Sequence, residues 1–501
     1  MSVTYRIRPA HRRGRFVVAI TCLSAAAALG AQSRPAVSRA ERLATDTLPL
    51  SFDAAIARAL AQGEEVRSAT AAVDVADAQI GVARSTGLPQ LRLNSTYSQV
   101  VENARATIVG SVFGQAYNYS ANAQLSQPLF LGGRVVAGAK AANAVRGSAR
   151  ASTAEVRGQV VVDVEQAYLD ALFTRQLVEI QRRNLQLAAE RVAQAQQLET
   201  AGRASRYDVL RLKVERANLE PALVQAQNDS ALAVLNLRRL VNVPAVQPLV
   251  LTSELDTLAL QQLLATVDTT PNTGTVRAAV RAAELTLTAR EAGVRVARAD
   301  LFPSVTATLT SGFLALPASN GFPTRLGTAN NANCPAGSAA TRICQNNGWF
   351  TDRNFGFQVS WPIFDGLRTK SNIDNARALV DQSNVQLALV REAVATEAAA
   401  ARAEFARART LFDARRETVA EASEAYQLAV LRNTRGVGTT LDVSDAQLNL
   451  VRAEVNAARA IYDVFLAAAD LARATGRPIP LPDGGAMRIT DRGADRVTTD
   501  R

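Results

Sequence analysis

The sequence predicts a mixed α and β membrane protein: four transmembrane β-strands per chain, contributed to a shared barrel and continued by a long antiparallel α-helical coiled coil. Three observations point there. Four stretches alternate apolar and polar residues with period two, two long tracts of helix formers carry no proline, and an internal duplication repeats strands and helices in the same order. Only 5% of the 501 residues are aromatic and alanine dominates the apolar content, which is thin material for large globular cores. Such a composition suits long helices in close contact.

At the N-terminus Arg6, Arg8, Arg12, Arg13 and Arg15 precede the apolar run FVVAITCLSAAAALG, with small residues at Gly30 and Ala31. This reads as a signal peptide over 1–30, cleaved on export. The run is short for a transmembrane helix, and Cys22 lacks the preceding residues of a lipidated cysteine, so Cys22 leaves with the signal. His11, the one histidine, leaves too. Without it, and with Cys334 and Cys344 the remaining cysteines, most nucleophilic triads and transition-metal ligand sets cannot be assembled. Carboxylate-only catalysis and hard-cation sites stay open in principle, but no phosphate loop, dinucleotide fingerprint or other catalytic signature is present, so the expectation is no enzyme, no cofactor and no resident metal. Cleavage after residue 30 removes five arginines and no acid, so the net charge of +11 falls to +6, an excess spread along helices where arginines alternate with acids, and no basic tract interleaves with aromatics. Nucleic acid is therefore not an expected partner.

After an N-terminal segment at 31–50, the first repeat occupies 51–250: a helix at 51–86, strands at 88–101 and 117–128, a long helix at 133–200 and a returning helix at 205–240. In the first strand Leu91, Leu93 and Tyr97 alternate with Arg92, Asn94 and Thr96; in the second, Tyr117, Tyr119, Ala121 and Ala123 alternate with Asn118, Ser120 and Asn122. An irregular equatorial connection at 251–272 leads to the second repeat at 273–475: a helix at 275–300, strands at 303–315 and 353–362, a long helix at 367–434 and a returning helix at 440–475. Here Val305, Ala307 and Leu309 alternate with threonines, and Phe355, Phe357, Val359 and Trp361 with Gly356, Gln358 and Ser360. The tail at 476–501, rich in proline and glycine, is expected to be disordered. A soluble sandwich would alternate in the same way. The aromatics favour the barrel, since 14 of the 25, both tryptophans included, lie within 88–131 and 302–364.

The duplication is visible in two motifs with one offset. SQPLFLGGR at 126–134 and SWPIFDGLR at 360–368 share the frame S-x-P-x-F-x-G-x-R, and AGRASRYDV at 201–209 falls on RGVGTTLDV at 435–443. Pro128 and Pro362 suit strand ends because proline cannot donate to a ladder, and Gly132, Gly133 and Gly366 let the chain turn from barrel into helix. No proline follows over 129–220 or 363–477, and each long helix would extend for about 100 Å at about 1.5 Å per residue. Gly202 and Gly436 then mark the far turns, each followed by an aspartate in a helix's first turn, Asp208 or Asp442. LPQLRLNSTYS at 88–98 matches FPSVTATLTSG at 302–312 with a smaller offset, so the second repeat holds about twenty extra residues in its outer loop, including both remaining cysteines. Four strands cannot close a barrel, and open edges in lipid cost several kcal/mol per unpaired group, so copies must associate. Two chains would give eight strands and three would give twelve.

Taken together, the duplicated S-x-P-[LI]-F-x-G frame, the LPQL and FPSV strand starts and the two glycine turns leading into Asp-Val resemble the TolC-like outer membrane efflux proteins over about 51–476. The resemblance implies a homotrimer with a twelve-stranded barrel in the Gram-negative outer membrane and a helical tunnel across the periplasm. It also implies that the turns at Gly202, Gly436 and Gly438 meet a periplasmic membrane-fusion adaptor and an inner-membrane efflux pump or ABC exporter. The family's D-V-x-D entrance frame stands here as Asp442, Val443, Ser444 and Asp445, with Asp208 and Tyr207 at the other turn. It implies a periplasmic aspartate gate, although a helix start favours acids anyway. The tyrosine and arginine with which the best-known member ties its coils fall on Asn433 and Gly438, which leaves the latch unidentified. Export into an oxidising compartment makes a Cys334–Cys344 disulfide the expectation for the outer loop. The implied function is a passive exit duct for tripartite efflux or type I secretion. Its rivals are a structural or adhesive coiled-coil protein anchored in the outer membrane and, less well matched, a carboxylate hydrolase, whose acids would gather in a cleft near aromatics instead of following helix periodicity.

Overall fold

A computed structural model of the protein describes residues 47–102, 117–244, 247–254, 257–267, 277–315 and 348–477, together with 322, 325–326, 479–480 and 486–487. The segment at 1–30, expected to be a signal peptide, and both Cys334 and Cys344 lie outside the described residues. The chain runs β1 (Leu48–Leu50), α1 (Phe52–Gln62), α2 (Glu64–Ser85), β2 (Gln90–Gln99), β3 (Tyr117–Leu131), α3 (Arg134–Thr200) and α4 (Arg206–Leu240). It continues through β4 (Leu249–Leu251), α5 (Thr257–Thr266), α6 (Ala278–Arg298), β5 (Ser304–Ala315), β6 (Gly348–Ser360), α7 (Arg368–Arg415), α8 (Thr418–Thr434) and α9 (Thr440–Thr475).

The four long strands form one antiparallel sheet in the order β2-β3-β5-β6. Its register aligns side chains into rows: Leu91, Leu125, Leu309 and Phe355 lie side by side on one face, and Arg92, Gln124, Thr310 and Asn354 on the other. Period two therefore carries through all four strands. The apolar row stays open to the surroundings, from 37% exposure at Leu125 to 72% at Leu91. A sandwich would have buried it. The outer edge of β2 has no partner among the described residues, and the outer edge of β6 meets only a two-residue bridge at Arg325–Leu326.

Strand becomes helix through backbone that few side chains tolerate. Gly132 and Gly133 take φ of 60° and 83°, and a Cβ on Gly132 would lie 2.3 Å from the carbonyl oxygen of Ala299. At the matching place in the second repeat Gly366 and Leu367 both sit at φ 68°, so a leucine accepts a left-handed conformation that costs about 1–2 kcal/mol. Pro128 does not end its strand. The ladder slips between Pro128 and Phe130 and continues to Leu131, the bulge absorbing the missing N–H. Pro362 lies beyond its strand, which stops at Ser360.

Three helical expectations need correction. The helix predicted at 51–86 is two, because Gly63 takes an extended conformation (φ −60°, ψ 133°) and ends α1. The tract at 367–434 is also two. Arg416 and Glu417 keep right-handed φ/ψ values while the helical ladder lapses between α7 and α8, a joint without a glycine or proline to announce it. The connection at 251–272 is not irregular throughout, since it contains α5. The tail, expected to be disordered, begins with Ile479–Pro480 paired to Ala486–Met487. By contrast α4 runs through Pro221 without interruption.

The helices pair along their length. α2 and α4 stack end to end beside α3, with Arg146–Asp77 at 3.0 Å on one part and Arg191–Glu215 at 3.4 Å on the other. α6 and α9 stack likewise beside α7. The main core lies where these stacks join, around Tyr168, Phe52, Phe465, Leu237 and Leu260, all at most 1% exposed. Tyr168 organises it: its hydroxyl donates to Leu50 O at 2.8 Å and accepts from Ser253 N at 3.2 Å, and Phe52 packs edge-on at 5.2 Å. β1 and β4, almost 200 residues apart, thereby pair in parallel against it.

Candidate functional site

The far ends of the two coils bring most of the singled-out residues to one place. Both turns are built alike. Gly202 and Gly436 sit at φ 70° and 78°, and each returning helix opens with a reciprocal capping box, Ser205 with Asp208 and Thr439 with Asp442. Asp208 Oδ2 accepts from Ser205 Oγ at 2.6 Å, and Asp442 Oδ2 accepts from Thr439 N at 2.8 Å. The Thr439 backbone and side-chain hydrogen bonds hold the Asp442 carboxyl below the usual carboxylate range. Asp442 is thus committed to its own helix start. Asp445, one turn further on, is exposed and makes no hydrogen bond or ion pair among the described residues. Tyr207 is 72% exposed and Val437 70%, so the tip presents apolar surface as well as charge.

Asn433 and Gly438 also have definite tasks. Asn433 Nδ2 donates to Gly438 O at 3.1 Å, closing the second turn on itself. A Cβ on Gly438 would approach the backbone N of Asn433 to 3.2 Å, so this closure needs a small residue. Neither residue ties one coil to the other.

Apart from Thr440 and Ser444, that link is made by residues that no sequence motif singles out. Arg191 on α3, with 11% of its side chain exposed, donates to Gln447 Oε1 at 2.7 Å, Thr440 O at 3.3 Å and Ser444 Oγ, and pairs with Glu215 on α4. Ser444 Oγ donates in turn to Glu215 Oε2 at 3.1 Å, and Arg211 donates to the Thr440 hydroxyl. Gln447, 3% exposed, also donates to the backbone and side-chain oxygens of Asn184, two turns from Arg191 on α3. A cavity of about 180 Å³ adjoins this network, lined by Arg191, Leu198, Leu212, Tyr426 and Val443. One sequence signal was available: Val443 and Gln447 are spaced i, i+4 on a face that is buried, so a polar side chain stands in an apolar stripe.

At the other end the transition residues hold strand to helix. Arg134 pairs with Asp300, Asp365 accepts from Thr369 N at 2.9 Å to start α7, and Trp361 Nε1 donates to Leu301 O at 3.2 Å. Among the described residues no helix is long and apolar enough to cross a membrane. Cys334 and Cys344 cannot be placed, since both are outside the described residues.

Known proteins share this architecture. The sequence profile of the outer membrane efflux protein family matches residues 55–243 and 275–477. Outer membrane efflux protein BepC of Brucella suis is 24% identical over 425 residues, covering 84% of both chains. Cobalt-zinc-cadmium resistance protein CzcC of Cupriavidus metallidurans is 24% identical over 434 residues, 86% of this chain and 90% of that one. Among solved structures, the CmeC outer membrane channel of Campylobacter jejuni superposes with a TM-score of 0.68 at 17% identity, over 85% of each chain. The two profile segments coincide with the two halves of the fold, and the chain accordingly belongs to the outer membrane efflux protein family, an efflux duct and not an enzyme, seated in the outer membrane and reaching into the periplasm.

Proposed function

We propose that this chain is the exit duct of a tripartite efflux or type I secretion system, closed as a homotrimer and gated at its helical tips. The observation that carries the reading is the sheet: four strands with an exposed apolar face and, among the described residues, two edges unpaired over most of their length. Backbone groups cannot stay unpaired in lipid, so neighbouring copies complete the barrel, and three copies give twelve strands. The coils then continue the barrel as a tunnel wall. The exposed tips around Gly202, Gly436 and Gly438 meet the periplasmic adaptor, which couples the duct to an inner-membrane pump or ABC exporter.

Three copies would set Asp442 and Asp445 around one axis as six carboxylates, a site for multivalent cations. Because Asp442 is engaged by Thr439, Asp445 is the freer ligand. The latch would be the Arg191 network, which joins α3 and α4 to α9 and fills the role left empty by Asn433 and Gly438. Opening means breaking a nearly buried arginine away from Glu215, Gln447 and Ser444. The outer loop with Cys334 and Cys344 is proposed to be disulfide-closed and to have no transport role.

Single-channel conductance of the detergent-purified protein in a planar bilayer tests this. Wild type should show a small cation-selective conductance blocked by multivalent cations from one side. Asp445→Asn should relieve the block more than Asp442→Asn, and Arg191→Gln should raise the conductance. A folded, inserted oligomer without conductance in every variant would instead favour a structural coiled-coil role.

A further inference from the structure

Where two helices meet end to end beside a third, each half of the duplicated chain leaves a cleft. In the second half it has a volume of about 300 Å³ and lies between α6, α7 and α9, lined by Arg277, Arg391 and Arg402 and by Val394, Ala398 and Thr475. No acidic side chain is among its described lining residues. The first half has the matching cleft, of about 290 Å³, beside Val160 of α3. Val160 and Val394 occupy equivalent places, 234 residues apart, and the residues preceding α2 and α6, Gly63 and Arg277, are equivalent as well.

The first cleft balances its charges, with Glu64 and Glu65 facing Arg238 and Arg239. The comparison separates two causes. The space comes from the end-to-end joint and occurs twice, whereas a lining whose charged residues are all arginine occurs once. Arg277 is already saturated: it donates to Glu155 and Glu397, with only 8% of its side chain exposed. Arg391 shares its charge with Glu284 at 2.8 Å in a pair that is 57% and 37% exposed. Among the described residues Arg402 has no ion pair, and its Nε is shielded from solvent without a hydrogen-bond partner. A shielded guanidinium N–H without an acceptor costs free energy that a bound oxyanion would return.

We propose that this cleft binds a small oxyanion, a carboxylate or phosphate seated on Arg402, with any apolar body lying along Val394, Ala395 and Ala398 toward Arg391. Guanidinium suits both oxyanions through its planar fork, and about 300 Å³ is the lower end of the range for small-ligand pockets. Arg391 and Arg402 are three helical turns apart, about 16 Å along the axis, so Arg391 contributes long-range potential or meets the far end of an elongated ligand. Occupancy would tie α7 to the joint between α9 and α6.

Isothermal titration of the detergent-solubilised full-length protein at constant ionic strength tests this, with hexanoate, inorganic phosphate and uncharged hexanol as probes. Saturable binding of one anion per chain, absent with hexanol, is expected. Arg402→Gln should weaken it at least tenfold, Arg402→Lys should weaken it less, and Arg239→Gln in the sister cleft should leave it unchanged. Hexanoate binding more tightly than phosphate identifies an organic acid, and the reverse order identifies phosphate. Circular dichroism and oligomer size establish that each variant is folded. Failure of both anions to saturate overturns the proposal, as does binding that survives Arg402→Gln in a folded oligomer. A neighbouring copy's carboxylate found against Arg402 in an experimental structure of the assembly would overturn it too.

Discussion

Glu165 is the most informative single substitution in this chain. It lies on α3 among Val161, Val164, Tyr168 and Leu169, is 0% exposed, and neither carboxyl oxygen has a hydrogen-bond partner among the described residues. Burial, with a smaller contribution from Asp470, pushes its carboxyl well above the usual range, so the folded chain holds the proton that the unfolded chain releases. The sign follows. Below the ordinary carboxylate pKa both states are protonated and nothing is lost. Above it, folding takes up one proton per chain, and stability falls by about 1.4 kcal/mol per pH unit until the buried group itself ionises. Glu165→Gln keeps the shape and removes the proton. Thermal unfolding of the helices in detergent, followed by far-ultraviolet circular dichroism from about pH 5 to about pH 8, should show the variant gaining on wild type by about that amount per chain per unit. Asp470, also raised mainly by burial, adds slope of the same sign to both proteins and largely cancels. Parallel pH profiles for the two proteins would refute the argument, because they would mean that Glu165 is ionised or hydrated in the folded state.

Three further outcomes are expected. Gly133→Ala should cost about 1–2 kcal/mol for its left-handed backbone, whereas Gly132→Ala adds a clash with the Ala299 carbonyl and should lower the yield of folded protein in the outer membrane far more. Tyr168→Phe removes the hydroxyl bridging Leu50 and Ser253 and should cost about 1–3 kcal/mol, with earlier proteolysis in the β1 segment as the structural readout. Thr439→Ala removes half of a capping box and should loosen the second turn by about 1 kcal/mol, seen as faster amide exchange at the start of α9. Since the Asp442 carboxyl is held low by Thr439, wild-type protection there should persist through neutral and mildly acid pH and be lost as pH falls through that low value.

The strands were legible because a sheet with one apolar and one polar face writes its geometry directly into alternate residues, as Leu309 beside Thr310 and Phe355 beside Asn354 illustrate. The tips were legible for a related reason: a tight turn between long helices needs a left-handed residue and a cap, and Gly202 with Ser205 and Gly436 with Thr439 supply both. The joint at Arg416 and Glu417, the parallel pairing of Leu48–Leu50 with Leu249–Leu251, and the Arg191 network left no comparable trace. Even the capping aspartates were only half readable, since sequence placed Asp442 at a helix start but not its hydrogen bond to Thr439 or the freedom of Asp445. Local backbone demands and the polarity of each face are properties of neighbouring residues, and the sequence by itself determined them. Which distant side chain fills a buried space, such as Arg191 between Glu215 and Gln447 or Tyr168 beneath Leu50, was decided only by the tertiary structure, because it depends on how whole faces meet across hundreds of residues.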